Sequence, residues 1–241
     1  MNETGLLDIT PLSSYWPTLD PFLFCVYHND AYPDGDDDMA PATSLAGRAI
    51  AQDFSGRDDW SMYHGDGVPG FPQHRHRGFE TVTVARHGFI DHADSMGACA
   101  LFGERDLQWM TAGRGIVHSE MFPLRQRTGG NHTELIQIWL NLPARNKMVE
   151  SHFAMFWQPD IPRAVITDDR GRETEVVSYC GALAREWGGG APPQPPPHSW
   201  ARDRDNSVVI WIIKIAPGAA WTLPAADLAH NRQILFSRAR A

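Results

Sequence analysis

The stretch that decides the fold begins with His74-Arg75-His76 and ends with His118-Ser119-Glu120, and both triplets adjoin sequence typical of β-strands. On a strand, residues i and i+2 point to the same face of the sheet. Each triplet therefore projects two potential ligands in one direction. Two such strands lying side by side would form a pocket with four ligands, and we expect the surrounding chain to be built around it.

The four side chains would supply three imidazoles and one carboxylate, a donor set that suits a divalent first-row metal. Iron(II) is the leading candidate, because nitrogen donors with one carboxylate leave coordination positions for a substrate and oxygen. Manganese, cobalt, nickel, copper and zinc are the alternatives. Either triplet alone is better explained by polar residues on a solvated strand face. The presence of both, joined by hairpin-like sequence, favours a metal site.

Short runs rich in β-branched and aromatic residues alternate with glycine-containing turns from His74 onward. Strands that recur roughly every ten residues are typical of an antiparallel sandwich or barrel. We therefore predict an all-β fold. The predicted strands are residues 79–84, 89–92, 98–102, 107–111, 116–118 and 135–142.

Composition excludes several classes of function. The chain of 241 residues has a formal net charge of −8, which argues against direct nucleic-acid binding, because phosphate recognition needs clustered Lys and Arg. Cys25, Cys99 and Cys180 are widely spaced and form neither a disulfide framework nor a zinc-finger pattern. Residues 1–4 lack the basic start of a signal peptide, and no apolar run approaches membrane-spanning length. We expect a cytoplasmic protein with no membrane partner.

Three runs carry a resemblance to a known family: residues 70–83, 92–97 and 108–120. They resemble the pirin family of the cupin superfamily. The resemblance implies a bicupin of two antiparallel β-barrels with the metal in the N-terminal barrel. Because the composition shifts after Pro143, we place the boundary near residue 158, which gives a metal-binding barrel at residues 1–157 and a C-terminal barrel at residues 158–241. It also implies that the ligands are the four residues that the spacing suggests, His74, His76, His118 and Glu120.

The resemblance implies a function as well. Microbial pirins suggest a quercetin 2,3-dioxygenase activity, with a flavonol or similar enol-bearing small molecule and O2 as the reactants. In such an enzyme Glu120 would be both a ligand and the catalytic base that takes the substrate hydroxyl proton. Eukaryotic pirins suggest the alternative, a metal-bearing regulatory protein that senses redox state and binds a protein partner. A third interpretation is a catalytically decayed copy.

Three departures from the family pattern have structural consequences. Arg75 replaces a usual proline, but it should face away from the ligands. Arg105 replaces a usual glycine, so its turn should be strained. The chain ends in Arg-Ala residues soon after Phe236, so we expect an incomplete second barrel whose unpaired strand edge promotes self-association.

Other polar and aromatic residues near the triplets have alternative explanations. Many cupins carry a ligating glutamate at the position of Glu80, but pirins do not use it, so we expect it to support the ligands or the sheet. His92 and Asp94 form a further ligand-x-ligand pair, which we interpret as a solvated hairpin end. Trp109 and Met110 should pack in the core rather than bind substrate.

Overall fold

The computed structural model describes residue 12, residues 15–225 and residues 231–237. Residues 1–4, which the sequence predicts not to begin a signal peptide, lie outside the described residues. The described residues form antiparallel sheets joined by loops and single 3-10 turns, which confirms the all-β prediction. The strands are β1 (Tyr15–Pro17), β2 (Phe22–Tyr32), β3 (Gly70–His76), β4 (Phe79–His87), β5 (Phe89–Asp94), β6 (Cys99–Gly103), β7 (Leu107–Thr111), β8 (Ile116–Met121), β9 (Asn131–Asn141), β10 (His152–Phe156), β11 (Arg163–Thr167), β12 (Glu173–Cys180) and β13 (Ile210–Ile215).

The helical elements of the described part are 3-10 turns of three residues each. They are Arg57–Asp59, Ala144–Asn146, Gln158–Asp160, Arg185–Trp187, Trp200–Arg202 and Arg204–Asn206. Within the described residues, no helix is long and apolar enough to cross a membrane.

Two sheets face each other and enclose the triplets. A six-stranded sheet has the order β1-β2-β9-β4-β7-β10, and a four-stranded sheet has the order β3-β8-β5-β6. Their facing side chains share one buried cluster, to which the larger sheet contributes Ala85 and Leu135 and the smaller sheet contributes Ile90 and Phe102. Both ligand triplets lie on neighbouring strands of the smaller sheet, β3 and β8.

The central strand β4 is buried on both faces. Ala85 belongs to the cluster between the two facing sheets. Val82 and Val84 point the opposite way and pack in a second cluster with Tyr179 and Ile210 from the C-terminal part of the chain. A strand covered on both faces needs a nearly continuous run of β-branched and apolar residues rather than a simple alternation. The sequence of β4 has this composition.

The C-terminal part forms a three-stranded antiparallel sheet in the order β11-β12-β13. Its own buried cluster contains Ala164, Val176 and Leu183. In the part of the chain that the structure describes, β11 and β13 each have β12 as their strand partner. The division into modules at residues 1–157 and 158–241, and the predicted self-association, stay predictions.

The turn between β6 and β7 is strained, as the replacement of glycine by Arg105 predicts. Glu104 has a φ of 48° and Arg105 a φ of 84°, in the left-handed region that non-glycine residues rarely adopt. The Arg105 backbone N–H donates to the Ala85 carbonyl at 2.6 Å. The tight turn therefore fastens the end of β6 to β4.

Candidate metal centre

A bulge in β3 brings the first triplet into position. Phe71 pairs with Glu120, whereas His74 pairs with His118, so β3 uses one residue more than β8 over this distance. A bulge of this kind changes which side chains face the interior without ending the strand. Phe71, His74 and His76 can therefore all face the same side. Arg75 is exposed between the two histidines, which confirms that it faces away.

The structure brings His74, His76 and His118 together. One potential ligand atom from each lies within 4.8 Å of the others, and their ring centroids are 4.4–4.8 Å apart. His118 and His76 are buried, and His74 is half-buried at the open side. Burial, followed by the neighbouring histidine charges, lowers the pKa of His76 to about 3 and that of His118 to about 2. Both imidazoles are therefore neutral near pH 7, which is the form that binds a metal.

The free ring nitrogens fit a metal. His76 Nε2 and His118 Nε2 are buried and have no hydrogen-bond partner, an arrangement that is costly unless another group binds them. His74 Nδ1 lies 2.9 Å from the Pro72 carbonyl oxygen at the bulge. Because a carbonyl can only accept, His74 Nδ1 donates to it, and in the neutral imidazole Nε2 then has its lone pair free for a ligand. The trio could hold a metal ion.

Glu120 lies beside the trio rather than within it. Its Oε2 atom is 3.9 Å from His118 Nε2, and its side chain is almost fully buried. Burial raises its pKa, and the hydrogen bond from Gln137 opposes that rise. His118 and Glu120 share a face of β8, as the spacing predicts. The role of Glu120 as the fourth ligand and as a base stays a prediction.

Gln137 on β9 is a site residue that the sequence patterns did not indicate. Its Nε2 atom donates to both carboxylate oxygens of Glu120, at 3.0 Å each. Trp139 Nε1 donates to Gln137 Oε1 at 2.9 Å, which fixes the orientation of the amide. The available signal was a glutamine within the apolar run of residues 135–140, since an amide among apolar side chains needs polar partners.

The interpretation of His92 and Asp94 as a solvated hairpin end is wrong. The side chains of both residues are fully buried. His92 Nδ1 lies 3.3 Å from His118 Nδ1, and His92 Nε2 lies 3.1 Å from Asp94 Oδ2. His92 therefore contacts the candidate metal centre through His118, because β5 lies next to β8 in the four-stranded sheet.

Glu80 points away from the histidines, into the contact with the C-terminal part. It accepts hydrogen bonds from Trp109 Nε1 at 3.2 Å, Thr111 Oγ1 at 2.7 Å and Ser199 Oγ at 2.6 Å. Desolvation raises its pKa to about 7, although these three donors oppose the rise. Its role is in the sheet, not in supporting the ligands. Trp109 and Met110 are completely buried in apolar clusters, which confirms their packing role.

Aromatic rings line the approach to the trio. Phe79 stacks on Trp139 with centroids 4.2 Å apart and planes 13° apart, and Trp139 meets the His76 ring edge-on at 5.0 Å. Phe24 packs against Trp139 at 4.4 Å. On the other side Phe71 lies 6.4 Å from His74. These partly exposed rings form apolar walls beside a polar histidine cluster, an arrangement suited to a planar aromatic ligand.

Comparisons with known proteins identify a family. The family model described as Pirin matches residues 13–140, which include both triplets. A protein of Pseudomonas aeruginosa named "Putative quercetin 2,3-dioxygenase PA2418" is 41% identical over 112 residues, covering 46% of this chain and 39% of that protein. The pirin-like protein At1g50590 of Arabidopsis thaliana is 43% identical over 120 residues, covering 50% of this chain and 36% of that protein.

This chain also resembles a protein of known structure. The crystal structure of quercetin 2,3-dioxygenase from Acinetobacter baumannii matches with a TM-score of 0.51 and 28% identity, covering 73% of this chain and 50% of that one. This chain therefore matches half or less of the length of each of these relatives.

Proposed function

The chain belongs to the pirin family, and from this premise we propose that it is a metal-dependent dioxygenase of the quercetin 2,3-dioxygenase type. The observation that carries the proposal is the trio of converging histidines, two of which have a buried Nε2 atom without a partner. The names of the relatives support the reaction class. The substrate is a flavonol or a similar enol-bearing phenolic molecule, and the second reactant is O2.

We assign the metal to His74, His76 and His118, with Glu120 as the fourth ligand. Iron(II) fits best, because three nitrogens with one carboxylate suit an oxygen-activating iron site. When bound, such a metal polarises a substrate oxygen and supplies the electron exchange that the reaction of a closed-shell molecule with O2 requires. The chain itself supplies position, proton transfer and exclusion of water.

Glu120 is the proposed base. A buried carboxylate with a raised pKa is a stronger proton acceptor than an exposed one. Gln137 donates to both of its oxygens, so the carboxylate is held in one orientation. It would remove the proton of the substrate hydroxyl and hold it at one carboxylate oxygen. The stacked pair of Phe79 and Trp139 would orient the planar substrate from the side.

Oxygen uptake by metal-loaded protein tests the proposal. We expect uptake with quercetin, and none with a flavone that lacks the 3-hydroxyl group, because there is then no enol proton to remove. His76→Ala should abolish uptake, whereas Arg75→Ala, which changes the exposed residue between the two ligands, should leave it intact. Metal-loaded protein that consumes no oxygen with flavonols would overturn the proposal and favour the regulatory role.

A further inference from the structure

Three buried side chains form a continuous hydrogen-bonded line behind His118. His118 Nδ1 lies 3.3 Å from His92 Nδ1, and His92 Nε2 lies 3.1 Å from Asp94 Oδ2. The side chains of His92, His118 and Asp94 have no solvent exposure. Water therefore cannot replace any of these contacts. The position of each imidazole proton is therefore set by the hydrogen bonds among these three side chains.

Asp94 fixes the direction at its far end. Its Oδ1 atom accepts the backbone N–H groups of Met96 at 2.8 Å and Ala98 at 3.1 Å. A carboxylate held by two backbone donors remains an acceptor at its second oxygen. His92 Nε2 must then carry the proton that points at Oδ2. A neutral imidazole with its proton on Nε2 has its lone pair on Nδ1.

This lone pair sets the tautomer of His118. Since His92 Nδ1 accepts, His118 Nδ1 has to donate, which leaves the lone pair of His118 on Nε2. That atom is the buried nitrogen without a protein partner. We propose that Asp94 and His92 are positioning residues that hold His118 in its Nδ1-protonated form, with Nε2 available to a metal. The proposal rests on the proposed metal centre, since it treats His118 as a ligand.

Packing keeps the line in place. The His92 ring stacks on Phe153 from β10, with centroids 4.8 Å apart and planes 26° apart. The pairing of β5 with β8 places Asp94 opposite His118 and His92 opposite Glu120. His92 therefore cannot turn without breaking its stack on Phe153, and the strand register keeps it next to β8. His74 obtains the same tautomer from a single contact, with the Pro72 carbonyl oxygen, whereas His118 depends on the two residues His92 and Asp94.

Asp94→Asn tests the relay, because asparagine has nearly the same shape but one of its two polar atoms donates. The two backbone N–H groups would hold the amide oxygen at the Oδ1 position, so the amide nitrogen would point at His92 Nε2. Every hydrogen bond in the line would then reverse, and His118 would carry its proton on Nε2. Long-range ¹H–¹⁵N NMR correlations of the metal-free protein report the tautomer of each histidine directly.

We expect the parent protein to show His118 protonated at Nδ1 and the Asp94→Asn variant to show it protonated at Nε2. The affinity for Zn²⁺, used as a redox-inert probe and measured by competition with a chromophoric chelator, should fall about 10- to 100-fold. Asp91→Asn is the matched control. Asp91 is exposed on the outer face of the same strand, so this variant should behave as the parent in both measurements.

The parent spectrum is decisive even where a variant folds poorly. An Nε2-protonated His118 in the metal-free parent would overturn the proposal, and so would an Asp94→Asn variant with the parent tautomer and the parent Zn²⁺ affinity. Neither measurement depends on oxygen uptake. Loss of the proposed dioxygenase activity alone would therefore leave this result unaffected, and the two failures are distinguishable.

Discussion

Gln137 donates its side-chain amide to both carboxylate oxygens of Glu120, at 3.0 Å each. The Trp139 indole holds the other end of the same amide. A buried carboxylate is stabilised chiefly by such donors, because burial itself disfavours the charged form. Gln137 therefore controls how readily Glu120 accepts a proton, although it is not a candidate ligand itself.

Gln137→Leu should raise the pKa of Glu120 further, because the hydrogen bond from Gln137 is the largest influence that lowers it. A carboxyl that stays protonated to higher pH can act as a base only at higher pH. The acidic limb of the pH profile of kcat/KM should therefore move upward. Gln126→Leu, on an exposed loop outside the site, is the control. An unchanged profile in Gln137→Leu would contradict this assignment of Gln137.

Removal of one imidazole should empty the metal centre. We expect the purified protein to bind about one divalent ion per chain, as a single site with three or four protein ligands does. His74→Ala and His118→Ala should each lower the metal content steeply in elemental analysis, because the remaining donors no longer enclose the ion. Arg75→Ala should keep the metal content of the parent. Full metal retention in both histidine variants would refute the ligand assignment.

Glu80 should make stability fall between weakly acidic and neutral pH. Its folded-state pKa is raised to about 7 from its usual 4.5, so the folded protein binds the proton more tightly than the unfolded chain. The stabilising contribution of Glu80 is fully present below about pH 4.5 and is lost as the pH rises through 7. Above that pH it is absent. The loss is at most about 3 kcal/mol. Chemical denaturation across this pH range measures it.

The matched variants isolate this carboxyl. Glu80→Gln keeps the shape of the side chain and removes its titration, so the stability of this variant should depend less on pH between 5 and 7. Glu186→Gln changes an exposed carboxylate in the C-terminal part and should retain the slope of the parent. An identical slope in Glu80→Gln would show that burial does not raise the pKa of Glu80 in the folded protein.

The parts of the site that follow strand periodicity could be predicted from sequence. His74 and His76, and likewise His118 and Glu120, share a face because alternate residues on a strand do so. The direction of Glu80 and the burial of His92 could not be predicted in this way. They depend on what covers each face of the sheet: the C-terminal part covers Glu80, and Phe153 from β10 covers His92.

The bulge in β3 is another feature that strand periodicity could not predict. Strict alternation along β3 would place Phe71 on the face opposite His74. The extra residue between their partners Glu120 and His118 returns both to one face. Bulges arise from the pairing of two strands rather than from the residues of one strand. The family resemblance implies the ligands without this detail, and the bulge explains how β3 can present them.

The three-stranded sheet should mediate weak self-association. Ile215 at the end of β13 is about half exposed, and within the described residues β13 pairs with β12. An exposed apolar strand edge tends to recruit another chain. Sedimentation velocity over micromolar concentrations should show a concentration-dependent dimer, and Ile215→Lys should weaken it. Glu173→Lys, at the exposed start of β12, is the control, and a monomer at every concentration would contradict the prediction.

The last prediction separates the two roles proposed for Glu120. Glutamine has nearly the shape of glutamate and still offers an amide oxygen, but it cannot take a proton near neutral pH. Glu120→Gln should therefore weaken metal binding moderately, because His74, His76 and His118 remain. Its amide group also has to face the donating amide of Gln137, so one of the two present hydrogen bonds is lost.

If Glu120 is the base, turnover should fall further than the loss of metal explains. Removal of a general base typically costs on the order of 10²- to 10⁴-fold in rate. The experiment measures oxygen uptake per bound metal ion at saturating metal, with a flavonol as substrate. Glu134→Gln is the matched control, since it removes a buried carboxylate that pairs with Arg86 instead. Equal turnover per metal ion in Glu120→Gln and the parent would mean that Glu120 is at most a ligand, and that another group accepts the proton.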